Sequence, residues 1–127
     1  MLRPAATNPL VYRADSRGQV SLTAEVNGAP VRFVVDTGAT LVALTPKDAT
    51  AVGIRSSDLR FNQIIRTANG TAQGALVQLR EIRLDRLVLD DVPAVVQQGL
   101  DQSLLGMSFL RRLKSFEMRD GALMLNR

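Results

Sequence analysis

The sequence of 127 residues contains no cysteine, no tryptophan and no histidine, and its single tyrosine is Tyr12. Without cysteine there can be no disulfide, no thiol nucleophile and no cysteine-ligated metal. Without histidine, serine–histidine–aspartate and cysteine–histidine catalysis, HExxH zinc sites and imidazole general bases are excluded as well. Any acid–base chemistry must therefore use carboxylates, and we expect neither a metal nor another cofactor.

Lysine is also scarce, because Lys47 and Lys114 are the only two, and the net charge of +4 comes mainly from scattered arginines. Only Arg111 and Arg112 are adjacent, whereas nucleic-acid binding usually needs a clustered basic surface with stacking aromatics. No apolar run approaches the ~20 residues of a membrane span, and the first residues lack the apolar core of a signal peptide. We therefore expect no nucleic acid partner and no membrane contact by this chain itself.

The length is that of one domain with a true hydrophobic core. Residues 1–16 contain Pro4 and Pro9, which disfavour both helix and sheet ladder. This segment is predicted to be an extended or disordered N-terminal arm. Regular structure is expected to begin near Gln19, within a single domain of residues 17–127.

Alternating apolar residues and turn signals dominate that domain. Asn-Gly or Asp-Gly pairs at residues 27–28, 69–70 and 120–121 each lie between strand-like runs, which predicts three β-hairpins. Thr45 and Pro46 can begin a short helix that ends at Gly53, and "MSFLRRL" is a second helical segment. The predicted fold class is all-β with one or two short helices.

Asp36 comes directly after the apolar run "VRFVV" and is followed by "TGATLVAL". An ionised carboxylate at the edge of a core costs several kcal/mol unless hydrogen bonds, a partner charge or a shared proton compensate. An ordinary turn is one alternative, because an aspartate side chain often accepts backbone N–H bonds two residues on. Asp90 and Asp91 are interpreted as a solvated turn, since neighbouring side chains on a strand point to opposite faces.

The segment from Leu22 to Ala51 and the segment from Leu84 to Leu113 share an order of strand, turn, strand, glycine-bearing loop and helix. If this weak repeat is real, the loop at Asp36 and the loop after Leu105 occupy equivalent places in a pseudo-twofold unit. Only the first of the two loops carries an acid.

Four motifs together resemble one family: "DTGA" after an apolar strand, "LVAL" after it, the hairpin "TANGT", and "LLG" before a helix. The chain resembles the retropepsin-like aspartic peptidases, and most closely the bacterial retropepsin-like family, from about Val20 to the C-terminus. The resemblance implies an acid-protease barrel with one lobe per chain, assembled as a homodimer. It further implies an endopeptidase that acts on extended polypeptide.

In such a site two carboxylates share one proton, so that one deprotonates water while the other protonates the scissile group. With one "DTG" per chain, the second carboxylate must come from a partner across a twofold axis. Ala39 fills a position where pepsin-like enzymes usually carry a hydroxyl. The resemblance makes Asp36 the catalytic acid, with Thr37, Gly38 and Ala39 as its loop, Thr67, Ala68, Asn69, Gly70 and Thr71 as the flap, and Leu104, Leu105 and Gly106 as support for the loop.

Two alternatives remain open at this stage. A dimer of this fold can have weak or no activity and act as a peptide-binding module, and an unrelated barrel with a coincidental "DTGA" would be a monomer. Members of the bacterial family often resemble anchored envelope proteins. For localisation the resemblance therefore favours the bacterial cell envelope, facing the periplasm, with any anchor supplied by a segment absent from this chain.

Overall fold

The structure, a computed structural model, describes residues 9–127. Strands make up most of the regular structure, with two short helices and one 3-10 turn at Ser56–Asp58, so the predicted all-β class is confirmed. No helix in that range is long and apolar enough to cross a membrane. The elements are β1 Leu10–Arg13, β2 Ser21–Val26, β3 Ala29–Val35, β4 Val42–Leu44, α1 Pro46–Ala51, β5 Gln63–Thr67, β6 Gly70–Leu84, β7 Leu87–Gln97, β8 Ser103–Leu105, α2 Met107–Leu110, β9 Ser115–Arg119 and β10 Ala122–Asn126.

Seven strands form a sheet that closes on itself. Their order is β2-β3-β8-β4-β7-β6-β5, and an additional pairing between β2 and β6 joins the two sides into a barrel. A separate three-stranded sheet, in the order β1-β10-β9, holds both ends of the described chain. Apolar side chains fill the interior, and the largest of those fully buried are Phe33, Phe109, Leu44, Leu79, Ile82, Leu84, Leu105, Leu110, Leu123 and Leu125.

The predicted hairpins are present and follow from local chemistry. In β2 the residues Leu22, Ala24 and Val26 are buried while their neighbours are more exposed, as expected for a strand with one face on the core. Asn27 and Gly28 adopt φ of 50° and 87°, the two positive values that the favoured two-residue hairpin turn requires. The same pattern of two positive φ values recurs at residues 120–121.

The turn expected at Asp90 and Asp91 is absent, and this prediction was wrong. Both residues lie within the single strand β7, which pairs with β6 from Leu87 to Gln97. Asp91 has a φ of 55°, and Arg112 Nη1 donates hydrogen bonds to the backbone oxygens of Asp90 (2.6 Å) and Asp91 (3.2 Å). The strand continues because its apolar side chains are buried on both sides of this irregularity, while the two acids remain exposed.

Regular structure begins at Leu10 rather than near Gln19. Part of the segment expected to be an extended or disordered arm forms β1, which pairs with β10 in antiparallel register. Leu10 is only 8% exposed, and the Tyr12 hydroxyl donates a 2.5 Å hydrogen bond to Asp85 Oδ2. Burial of an apolar side chain and this bond compensate for ordering the segment. Residues 1–8 of the predicted arm, including Pro4, lie outside the described residues.

Tyr12 provides a test of how firmly β1 is attached. Burial, followed by the hydrogen bond to Asp85, raises the pKa of Tyr12 well above its ordinary value. Because the unfolded chain loses this proton at a lower pH than the folded chain, the folded state loses stability as pH rises above the ordinary tyrosine pKa of about 10. We expect Tyr12→Phe to lose roughly 1 kcal/mol at pH 7.

Chemical denaturation of both proteins between pH 7 and pH 11 measures this difference. The wild type should lose its advantage over Tyr12→Phe as the pH rises through the alkaline range. An advantage that stays constant up to pH 11 would contradict the role given to the Tyr12 proton.

Candidate active site

Asp36 follows the last residue of β3 and begins a tight loop. Its Oδ1 accepts a 2.8 Å hydrogen bond from the Gly38 backbone N–H, and its own carbonyl accepts one of 3.1 Å from the Ala39 N–H. The sequence forms this turn because the aspartate side chain can reach the backbone two residues on. Asp36 therefore forms an ordinary turn and also lines an open groove. The two interpretations of this residue from the sequence, a turn former and a site residue, are compatible.

The Asp36 loop is fixed by the segment that follows β8. Asp36 N–H donates to the Leu105 carbonyl (3.1 Å), and Met107 N–H donates to the Ala39 carbonyl (2.8 Å). Between these two bonds lies Gly106, where an added Cβ would stand 2.3 Å from the Leu41 carbonyl oxygen and 2.7 Å from that of Ala39. Only glycine permits such a close approach of two backbones.

A second contact between the same regions consists of side-chain hydroxyls. Ser108 Oγ accepts the Val42 N–H at 2.8 Å, and the fully buried Ser103 accepts the Thr45 N–H at 3.1 Å. Ser103 also donates a 2.5 Å bond to Asp48 Oδ2. These bonds satisfy backbone N–H groups that would otherwise be left unpaired at each end of the short strand β4.

A groove of about 590 Å³ opens above Asp36. It is lined by residues of the Asp36 loop, of the neighbouring strands β4, β7 and β8, and of strand β5. Its lining is mostly apolar, and Asp36 is the one acid among the described residues that line it. The lining residues are Asp36, Gly38, Ala39, Thr40, Leu41, Ala43, Ile64, Ile65, Arg66, Thr67, Ala68, Val95, Gln97, Leu100 and Leu104.

The hairpin between β5 and β6 projects beside this groove. Thr67 pairs with Gly70 across the turn, and the Thr67 hydroxyl donates to the Gly70 carbonyl at 2.9 Å while accepting the Asn69 N–H at 3.2 Å. All of the residues from Arg66 to Thr71 are exposed. Thr67 and Ala68 line the groove, whereas Asn69, Gly70 and Thr71 form the turn and do not.

The structure separates the three residues expected to support the loop. Leu105 is fully buried and offers its carbonyl to Asp36, and Gly106 permits the close backbone contact. Leu104 instead lines the groove itself. Thr37 is exposed and is not part of the lining.

Several lining residues were not among the site residues expected from the sequence, Ala43 and Val95 among them. Together with Leu104 they are cross-strand neighbours in the register of β4 with β7 and β8, so their side chains share one face of the sheet. The alternation within each strand was visible in the sequence, but the register between strands was not. Apart from Asp36, Arg66 is the one charged residue among the described residues that line the groove. Among residues 9–127 no group of acids is placed to hold a metal ion.

The comparison with known families agrees with this geometry. A family model described as "gag-polyprotein putative aspartyl protease" matches residues 22–112, well over half of the chain. The chain belongs to the retropepsin-like aspartic peptidases. The resemblance seen in the sequence is therefore confirmed.

Two curated bacterial relatives have no assigned activity. One is an uncharacterised protein in the cobV 5′ region of a Sinorhizobium species, which is 43% identical over 110 residues and matches 85% of this chain and 47% of its own length. The other is an uncharacterised protein of Rickettsia prowazekii, 36% identical over 117 residues, with 92% of this chain and 51% of its own length matched. The chain spans about half the length of these two relatives.

Solved structures show the same fold. A retropepsin-like aspartic protease from Rickettsia conorii superimposes with a TM-score of 0.82 at 32% identity, over 92% of this chain and 98% of that one. The EIAV protease in complex with an inhibitor matches 80% of this chain and 93% of its own, with a TM-score of 0.67 at 17% identity. At 17% identity, the similarity to the EIAV protease supports the barrel fold and nothing further.

Replacement of Gly106 tests the close backbone contact between the Asp36 loop and the segment that follows β8. We expect Gly106→Ala to lower the free energy of unfolding by roughly 2–3 kcal/mol, because its Cβ would overlap backbone oxygens that cannot move independently. Gly99→Ala is the matched control. Gly99 has a φ of 78° and open space around it, so this change should cost roughly 1 kcal/mol in backbone strain alone.

Urea denaturation of the two variants and the wild type measures both effects. Equal losses for Gly106→Ala and Gly99→Ala would contradict the close contact at Gly106.

Proposed function

We propose that the protein is a homodimeric aspartic endopeptidase in which water is activated between two Asp36 carboxylates, one from each subunit. The observation that carries this proposal is the position of Asp36, which lines the mostly apolar groove and is its one acid among the described residues. A single carboxylate cannot act as general base and general acid in the same step. A second copy related by a twofold axis would supply the missing group.

The loop residues have distinct roles in this proposal. Gly38 donates its N–H to Asp36 Oδ1, which leaves Oδ2 for the water and the partner carboxylate. Thr37 is exposed and would bond to the partner loop, holding the two acids in register. Gly38 also has little room for a side chain, since an added Cβ would lie 3.2 Å from Asp36 Oδ1. Ala39 contributes its carbonyl to the bond with Met107.

Extended polypeptide is the substrate that suits the groove. The groove runs between the Asp36 loop and the edge strand β5, so a bound peptide can lie alongside exposed backbone groups. The hairpin of Thr67, Ala68, Asn69, Gly70 and Thr71 would close over it as a flap and exclude water during the reaction. Apolar lining residues favour substrates with apolar side chains near the cleaved bond.

The small sheet offers a surface for the second subunit. Val11 in β1 is 48% exposed and Met118 in β9 is 52% exposed, although both are large apolar residues, and the strand register puts them on opposite faces of the sheet. Apolar side chains exposed on a sheet with free edges favour association with another chain. We therefore place the dimer contact at this sheet, near the twofold axis. The bacterial relatives favour a bacterial source.

Replacement of Asp36 tests the catalytic assignment. We expect Asp36→Asn to keep the fold, because the amide has the same shape and can still accept the Gly38 N–H. Peptide hydrolysis should fall by at least about a thousandfold, because the amide cannot act as a general base. Asp90→Asn, which changes an exposed acid outside the groove, is the matched control and should keep full activity.

Mixing experiments test the dimer. A tenfold excess of Asp36→Asn subunits should reduce wild-type activity about tenfold after exchange, because most wild-type subunits then pair with an inactive partner. The same excess of Asp90→Asn should raise total activity. Wild-type activity that is unaffected by Asp36→Asn would contradict a shared site. Peptide binding without hydrolysis by the wild type would instead identify a peptide-binding module.

A further inference from the structure

Gln97 stands out among the residues that line the groove. It is the last residue of β7 and only 8% exposed. Its side-chain amide makes no hydrogen bond within residues 9–127, although its backbone carbonyl accepts the Leu100 N–H. An amide that a bound chain sealed from water without a partner would be costly, so the chemistry of what fills the groove beside Gln97 matters.

The register of the sheet fixes the face on which Gln97 lies. Gln97 is two residues after Val95 on β7, so both side chains project to the same face. Gln97 is the cross-strand partner of Gly74, and Val95 is the partner of Leu76. An added Cβ at Gly74 would lie 2.6 Å from Val95 and 3.0 Å from Ile65. The side chains of Val95 and Ile65 therefore pack over Gly74 and form the apolar wall of the groove beside Gln97.

The amide of Gln97 keeps contact with the groove. In the described part of the chain, every side-chain nitrogen or oxygen that is fully sealed from solvent has a hydrogen-bond partner. Because the Gln97 amide has no partner, its polar atoms must retain some access to solvent. Gln97 is nine-tenths buried and lines the groove, so that access lies on the groove side.

We propose that Gln97 is a specificity-determining residue that selects a substrate side chain ending in a carboxamide, asparagine or glutamine. This inference rests on the proposed function and names the substrate preference of the same site. The subsite has an apolar wall of Ile65, Val95 and Leu104 with one amide at its end. An asparagine or glutamine can place its apolar stem on this wall and pair its amide with that of Gln97.

The chemistry of an amide distinguishes this ligand from its competitors. A carboxamide has both a donor and an acceptor, so two amides can satisfy each other by a reciprocal pair of hydrogen bonds. Leucine or methionine would fill the same space but would seal the Gln97 amide from water without a partner. Glutamate could accept a hydrogen bond from the Gln97 side-chain NH2 group, but it has no donor for the Gln97 side-chain oxygen. Its charge would also lose hydration in an apolar subsite, which is costly.

The experiment uses two readouts on the same peptides. A peptide set carries glutamine, asparagine, glutamate, methionine or leucine at each position in turn around a fixed cleavable core. Cleavage is measured with the wild type, and equilibrium binding is measured with Asp36→Asn, which does not require turnover. Both are repeated with Gln97→Leu and Gln97→Glu. The matched control is Gln98→Leu, which changes an exposed glutamine outside the groove lining.

At one subsite, the wild type should prefer glutamine or asparagine over methionine or leucine by roughly five- to hundredfold. Gln97→Leu should reverse this order at that subsite alone, and Gln97→Glu should shift it toward lysine in an added peptide. Gln98→Leu should leave it unchanged. A reversal of side-chain preference is an effect that a purely structural role of Gln97 would not produce.

Two outcomes would overturn the inference. The first is cleavage or binding with no amide preference at any subsite. The second is an amide preference that survives in folded Gln97→Leu and Gln97→Glu. Either result leaves the peptidase proposal intact wherever cleavage depends on Asp36. Conversely, amide-selective binding that depends on Gln97, without any cleavage by the wild type, would support this inference and refute the peptidase.

Discussion

Two backbone hydrogen bonds join the Asp36 loop to the segment between β8 and α2, and the rest of the site depends on them. One runs from the Asp36 N–H to the Leu105 carbonyl and the other from the Met107 N–H to the Ala39 carbonyl. Because backbone bonds need no particular side chain, they hold the loop without using any group that faces the groove. The carboxylate of Asp36 is thereby oriented by its own short turn and remains free for chemistry.

The groove is a consequence of how the barrel uses its two faces. The largest buried side chains fill the interior, while Ala43, Val95 and Leu104 project to the opposite face, where they form an apolar wall beside Asp36. The interior therefore supplies stability, and the opposite face supplies the site. Small side chains on that face, such as that of Ala43, leave the space that a bound chain would occupy.

Local features were predictable from the sequence because local chemistry determines them. Asn27 and Gly28 form the expected hairpin turn, and Thr45 caps α1 by accepting the Asp48 N–H at 3.0 Å. The turn expected at Asp90 failed because the long-range pairing of β7 with β6 outweighs a local turn preference. Strand β1 and the groove position of Gln97 were missed for a related reason, since pairing partners and register are fixed by distant strands.

The pseudo-twofold order seen in the sequence also bears on why the described groove carries one acid. Strand β3 runs parallel to β8, and β4 runs parallel to β7, so the twofold relation exchanges β3 with β7 and β4 with β8. In this register Val35 corresponds to Val96, and the residue that corresponds to Asp36 is therefore Gln97. The equivalent loop follows β7, so the expectation that it follows Leu105 was wrong. Because an amide stands where the equivalent acid would lie, the second carboxylate of the proposed mechanism would have to come from a second subunit.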